Sequence, residues 1–304
     1  MSTTRLVVTR GRGASRPDVR VETAGPRGRG HLAARILPPR GGVARVALLA
    51  EGALLLGGDE VEVHLVLGAG VRVEVVEPAG TVAYDMRGDR ASWRVRVEAG
   101  DNSRMTWRGQ SFVVSNGAQV ERSTTVDLGA RAVVAWRELL VLGRTGEAGG
   151  RLHTTTRVAC GGPLLVEDLV LDGSQPRVGV LGSARVLETI SVVGCRAAPG
   201  DLVTPAHRLE LDREGTVLRW WGSQAHESSL GAAWRAVVRD LSAPRPSAPD
   251  APPNLPQTMP AHEGPGKKPR GRSNGATALP HVTEETDAAT ATPVVAVASP
   301  AATP

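Results

Sequence analysis

Carboxylates are the side chains whose placement in this sequence could do chemistry. Asp59 and Glu60 follow Gly57–Gly58 at the start of an alternating run, and Glu138 stands two residues after Trp136. Glu147 and the pair Glu167–Asp168 interrupt Gly-rich or apolar stretches. Carboxylate oxygens are hard ligands for divalent cations and bind weakly when one acts alone. Solvated carboxylates on turns and strand edges fit the same positions. For Asp59, a side chain hydrogen-bonded to its own turn is an equal reading. The seven histidines (His31, His64, His153, His207, His226, His262 and His281) are so spaced that no two fall within ten residues. A local metal box is therefore excluded, and only ligands gathered from distant strands remain. Cys160 and Cys195 are too few for a disulfide framework or a zinc cluster, and read as reduced, buried thiols. No G-x-S-x-G, H-E-x-x-H or EF-hand pattern occurs. GPGKK at 264–268 lacks the hydroxyl residue that must follow a P-loop lysine.

The elements that must position these acids are strands. Of 304 residues 41% are hydrophobic but only 3% aromatic, so Val, Leu and Ala build the core. VEVHLVL at 61–67 places Val61, Val63, Leu65 and Leu67 on one face, and WRVRVEAG at 93–100 alternates likewise. Period-two alternation between glycine clusters predicts half-buried strands joined by tight turns. VLGAGVRVEV, VEAGDNSRMTW, VSNGAQVERSTTV and LGARAVVAW each put a Gly turn before an alternating segment. Their spacing is too loose for a strict repeat, so the expectation is an all-β stack of many short strands between about 45 and 220, with a few short helices. ARAVVAWRELLVLGR at 130–144 suits helix or strand, whereas SSLGAAWRAVVRDL at 228–241 has helical spacing with Ser228 or Ser229 to cap it. Trp136 is expected in the core. The domain is taken as 1–242, and 243–304 as a disordered tail rich in Pro, Ala and Thr.

Charge is uneven. Residues 1–45 hold ten Arg against two acids, and residues 46–242 hold 21 Arg against 24 acids. The basic segment at 1–45 has no aromatic residue, which speaks against nucleic acid as its partner. No run of 18 apolar residues is present, so no membrane span is expected, and MSTTRLVVTRGRGASR has no signal-type apolar region, which predicts a cytoplasmic protein.

Five segments, taken in order, resemble the UreD (UreH) family of urease accessory proteins, in a divergent form of actinobacterial type. LLLGGDEVEVHLVLGAG at 54–70 is similar to that family's G-G-D-E-L strand start and G-x-G turn, through Gly58, Asp59 and Glu60. EPAGTVAY at 77–84, ending in Tyr84, sits where the family has T-P-G-A-T-K-x-Y. MTWRGQSFVVSNGA at 105–118 lies on its W-L-P-Q-E segment. AWRELLVLGRTGEAGGRL at 135–152 resembles W-[DE]-x-x-x-L-G-R-x-x-x-G-E-x-x-x-G, through Gly143, Arg144 and Glu147. GGPLLVEDLVLDG at 161–173 resembles G-x-P-L-L-x-E-x-L-x-L, through Glu167. This chain departs from the family at 82–83, where its Lys is missing, and at 108–111, where only Gln110 of L-P-Q-E is kept.

The resemblance implies a non-catalytic scaffold for urease maturation. Such a scaffold binds urease apoprotein and, through a UreF-like protein, recruits the GTPase UreG for nickel insertion. It implies no tightly bound cofactor, only Ni²⁺ in transit, and neither nucleic acid nor membrane as partner. Transit favours carboxylates over His or Cys clusters, given the high place of Ni²⁺ in the affinity order. Glu138 and Glu167 are the first candidates for that passage and Asp59 the third. Arg144 is expected to pair with one of the acids, and Gly143 to serve a turn. The alternative is a β-rich carbohydrate-acting hydrolase or lyase, for which Trp220–Trp221 would have to line a cleft. Neighbouring strand residues face opposite ways, so that pair cannot form one platform.

Overall fold

The structure, a computed structural model, describes residues 1–11, 17–25, 32–52, 55–175, 180–198 and 207–243. The tail from 244 onward and His31, His262 and His281 lie outside the described residues. The first strands are β1 (Ser2–Arg10), β2 (Pro17–Ala24), β3 (Leu32–Arg40), β4 (Val43–Ala50), β5 (Glu60–Leu67), β6 (Arg72–Val76), β7 (Thr81–Ala83) and β8 (Ala91–Ala99). There follow β9 (Arg104–Val114), β10 (Gln119–Leu128), β11 (Val133–Leu142), β12 (Arg151–Ala159), β13 (Pro163–Asp172), β14 (Val186–Val193), β15 (His207–Glu210) and β16 (Gly215–Gly222). Helix α1 (Leu230–Ser242) closes the described chain.

Two sheets form. The first is ordered β13-β12-β10-β8-β5-β1-β2, the second β15-β16-β14-β11-β9-β6-β4-β3, with β7 beside β9. Pairs β1–β5, β5–β8, β8–β10 and β10–β12 are parallel, as are β4–β6, β6–β9 and β9–β11. Parallel neighbours need a crossover. Here the crossover from β5 to β8, or from β9 to β11, is made by strands of the opposite sheet. The chain therefore coils, adding strands to the two sheets in alternation from β4 to β12. This is the stacked arrangement expected from the Gly-turn units.

The turns at 68–71, 100–103 and 129–132 lie one above another. Ser103 N–H donates to the Gly100 carbonyl at 3.0 Å and Ala132 N–H to Gly129 at 3.1 Å, closing each turn. Gly100 N–H then donates to Leu67 and Gly129 N–H to Ala99, at 2.8 and 2.7 Å, tying each turn to the one below. A Cβ on Gly100 would lie 2.7 Å from the Leu67 carbonyl oxygen, so the stack has room only for glycine there.

The main core lies between the sheets, where Leu6, Leu65, Met105 and Leu152 are fully buried. A second core lies on the other face of the second sheet, where Leu230, Trp234 and Val237 of α1 meet Ile190, Leu218 and Trp220. These helix residues follow the i, i+4, i+7 stripe of an amphipathic helix. Ser228 Oγ accepts the Leu230 N–H at 3.2 Å. Arg104 Nη1 donates to the Leu241 and Ala243 carbonyls at 3.1 and 2.8 Å, and Arg72 Nη1 to Ser242 at 3.0 Å. Both cations complement the negative end of the helix.

Three expectations are refined. Residues 130–144 hold β11, which lacks clean alternation because both of its faces are covered. Strands begin at Ser2, not near 45: Leu6 and Val8 point inward, Arg5 takes an outward position and Arg10 is exposed at the strand end. Cys160 and Cys195 are only half-buried, not buried as expected.

Candidate functional site

On β11 the residues that share the inter-sheet core are Val134, Trp136, Leu140 and Leu142, and Glu138 has the same parity. On β10 the inward set is Val120, Arg122, Thr124 and Val126. Arg122 reaches across the gap and donates through Nη1 to Glu138 Oε1. Both side chains are nearly buried, at 10% and 13% exposure. Further along, Glu167 of β13 has the parity of the core-packed Leu165, Leu169 and Leu171. Arg219 of β16 crosses to it, Nη2 to Oε1 at 2.7 Å, and its Nε donates to Thr189 Oγ1 at 3.3 Å.

Strand register makes these pairs one layer. In the second sheet Glu138 pairs with Thr189, which pairs with Arg219. In the first, Thr124 pairs with Thr156, which pairs with Glu167. Thr124, Thr156 and Thr189 are buried. A lane of hydroxyls and cross-sheet ion pairs thus runs from Arg122 and Glu138 toward the β13 and β16 side. The cavity at its inner end leaves about 40 Å³ for water centres, room for a few waters.

Glu77, just after β6, completes that inner end. It accepts from Trp107 Nε1 at 2.8 Å and from the Gln110 N–H at 3.1 Å. Burial pushes its carboxyl above the ordinary carboxylate range, opposed by those hydrogen bonds and by the Arg122 charge. Two buried N–H donors on the cavity wall, Arg122 Nε and Trp136 Nε1, lack an acceptor. Trp136 is in the core as expected, at 5% exposure. Glu77, Arg122 and Arg219 were not singled out from sequence, yet each carried a signal. Arg122 and Arg219 are charges on the apolar phase of an alternating strand, and Glu77 directly follows the alternating segment V-R-V-E-V-V.

The remaining motif positions gather elsewhere, in the loops at the end opposite the stacked glycine turns. Asp59 Oδ2 accepts the Leu56 N–H at 2.8 Å, closing its own turn, while Gly58 N–H donates to the Arg90 carbonyl at 2.8 Å. Glu60 is exposed and 3.5 Å from Arg94. Tyr84 is exposed, its N–H donating to the Leu55 carbonyl at 3.1 Å. Arg144 binds Glu147 through Nε and Nη2 at 2.9 and 2.6 Å, and its backbone N–H donates to the same carboxylate. The arginine's hydrogen bonds pull the Glu147 carboxyl down to about 2, and those bonds in turn push the Arg144 guanidinium up. Gly143 has φ +75° and sits against the Glu147 carbonyl, the turn role expected of it.

Glu138 and Glu167 therefore share the interior lane, and Asp59 does not join them. Among the described residues no three His, Cys, Asp or Glu side chains converge on a metal-sized site. Trp220 is buried while Trp221 is exposed, so they form no joint platform. No helix among the described residues is long and apolar enough to cross a membrane.

The family model of the UreD urease accessory protein matches residues 19–251. The chain belongs to the UreD family. Its relatives include urease accessory protein UreD 1 of Streptomyces griseus subsp. griseus, 41% identical over 215 residues, covering 67% of this chain and 82% of that protein. UreD of Streptomyces avermitilis is 32% identical over 226 residues, 74% of this chain and 83% of that protein. UreD of Ralstonia nicotianae is 32% identical over 178 residues, 57% of this chain and 59% of that protein. As a UreD member the chain is an accessory protein, not a catalyst. The matched span includes both the interior lane and the Arg144–Glu147 loop.

Proposed function

We propose that this UreD chain is a cytoplasmic, non-catalytic scaffold for urease maturation. It binds urease apoprotein, engages UreF-like and UreG-like accessory proteins, and lets Ni²⁺ pass along its interior carboxylates. Nickel here is cargo, not a resident cofactor. The observation that carries the reading is the inter-sheet lane, in which Glu138 and Glu167 stand on facing sheets among buried threonines. Single carboxylates flanked by hydroxyls bind a divalent cation loosely, as transit requires. Asp59, engaged in its turn, is left out of the passage. The loop end, with Tyr84 and Arg144 exposed on a frame of glycines, supplies a partner surface.

The test is co-expression of the tagged chain with its host's urease subunits and UreF- and UreG-like proteins, followed by affinity capture. Co-purification with nickel- and GTP-dependent urease activity is the expected result. A folded chain that captures none of them defeats the scaffold reading. Glu138→Ala with Glu167→Ala should lower activation at limiting nickel while the fold persists. Full activation by that double variant defeats the passage and leaves the scaffold.

A further inference from the structure

The outer face of the first sheet holds a recess of about 130 Å³ where three neighbouring strands begin. Arg90 directly precedes β8, whose Ala91 pairs with Val120 of β10, and Gln119 of β10 pairs with Arg151 of β12. Two guanidiniums thus flank one amide across about 10 Å, the width of two strand spacings. The side chains of Arg90 and Gln119 have no hydrogen-bond or ion-pair partner among the described residues. Arg151 lies 3.7 Å from Asp172, beyond hydrogen-bond length. The acid on the wall, Glu121, is turned to His153, 2.8 Å from its Nδ1. Water satisfies these donors in the free chain, and a carboxylate would replace it with charge-assisted, forked bonds. A dianionic phosphate suits the recess less, because it would meet the Glu121 charge.

The recess adjoins loop 84–90, which exposes Tyr84, Arg87 and Arg90. That loop is set before any partner arrives. Asp85 Oδ1 accepts the Arg87 N–H at 2.9 Å, with Arg87 at φ +52°, and Asp89 Oδ1 accepts the Arg90 N–H at 2.8 Å. Gly58 N–H donates to the Arg90 carbonyl and Tyr84 N–H to Leu55, which ties the loop to exposed Leu56. A non-glycine residue held at positive φ is strained, and such strain gathers at binding sites. Tyrosine and arginine beside an aliphatic side chain are the composition of a protein interface.

We propose that this recess seats an acidic side chain of a partner protein, with Tyr84 and Leu56 packing beside it. The proposal rests on the scaffold reading given above and names its docking site.

The test immobilises the full chain and measures binding of its host's urease apoprotein and UreF-like protein in turn, at low and at physiological salt. Arg90→Gln with Arg151→Gln should weaken the partner that docks here by about 10–100-fold and flatten its salt dependence. Tyr84→Ala should weaken it by about 10-fold. Arg157→Gln alters an exposed arginine of the same sheet outside the recess, and should stay within about twofold of the unaltered chain. Circular dichroism reports the fold, and Arg90→Gln alone carries the test if the double variant unfolds. Unchanged binding by the folded recess variant overturns the docking site and leaves the scaffold. An equal loss in Arg157→Gln reduces the effect to net charge and overturns the site as well. An unaltered chain that binds neither protein defeats scaffold and docking site together.

Discussion

Arginine meets glutamate at the loop end and again inside the molecule, with opposite consequences. Arg144 and Glu147 are three residues apart, with Arg144 55% exposed. Their geometry is bidentate and close, but water competes for every bond, so the pair shapes a loop without anchoring the fold. Arg137 and Glu188 meet at 2.6 Å from neighbouring strands β11 and β14, and Glu188 is fully buried with one oxygen unpartnered. There the pair is a commitment, because neither charge can return to water while the sheet stands. Arg122–Glu138 is buried like the second and likewise leaves one polar atom, Arg122 Nε, without a protein partner. Burial, more than distance, separates a tie from a decoration.

The sharpest way to break this comparison is Arg137→Ala, which strands the Glu188 charge in the core. It should cost about 3–5 kcal/mol in chemical denaturation, and a cost near that of a surface substitution would show that the buried pair is no tie. Next in size is Gly143→Ala. At φ +75°, with a Cβ 2.8 Å from the Glu147 carbonyl oxygen, it should lose about 1–3 kcal/mol in thermal unfolding. That result would show the loop to be held by backbone geometry and not by its ion pair.

Arg144→Ala should lower stability only slightly at physiological salt, by less than Gly143→Ala. It should, however, return the Glu147 carboxyl from about 2 toward its ordinary 4.5 in an NMR titration. Because the folded value is depressed, the stabilisation from Glu147 is present above pH 4.5 and fades as pH falls through about 2. A Glu147 midpoint that ignores the substitution would remove Arg144 as its partner.

The smallest effect concerns His153 on the outer face of the first sheet. Its ring nitrogens lie 2.8 Å from Asp168 and 2.8 Å from Glu121, and the Asp168 bond, chiefly, raises its pKa above 6.5. Its contribution is complete below pH 6.5 and is lost as pH rises through the raised value. Asp168→Asn should lower the imidazole midpoint by NMR with little change in stability, as the half-exposed setting predicts.

Much of the fold was legible. Val61, Val63, Leu65 and Leu67 turn inward as the alternation required, and α1 starts within two residues of the serines chosen to cap it. β11 was ambiguous because covering both faces of a strand removes the alternation that identifies it. The basic segment hid β1 and β2, since outward positions of a strand tolerate arginine as readily as a loop does. Of the site, Glu138 and Glu167 were reached through motif resemblance, and the Arg144–Glu147 contact is local enough to suspect from spacing alone. The partners of the interior acids were not accessible that way: Arg122 is 16 residues from Glu138, and Arg219 is 52 residues from Glu167 in a different sheet.

By itself the sequence determined what depends on neighbours along the chain: strand period, glycine turns, the amphipathic helix and the Glu147 loop. Backbone sterics and the alternation of side chains act over a few residues, so they are written locally. Only the tertiary structure decided which polar side chains meet between the sheets. That outcome depends on how the two sheets of the coil are laid over each other, and no local periodicity encodes the overlay.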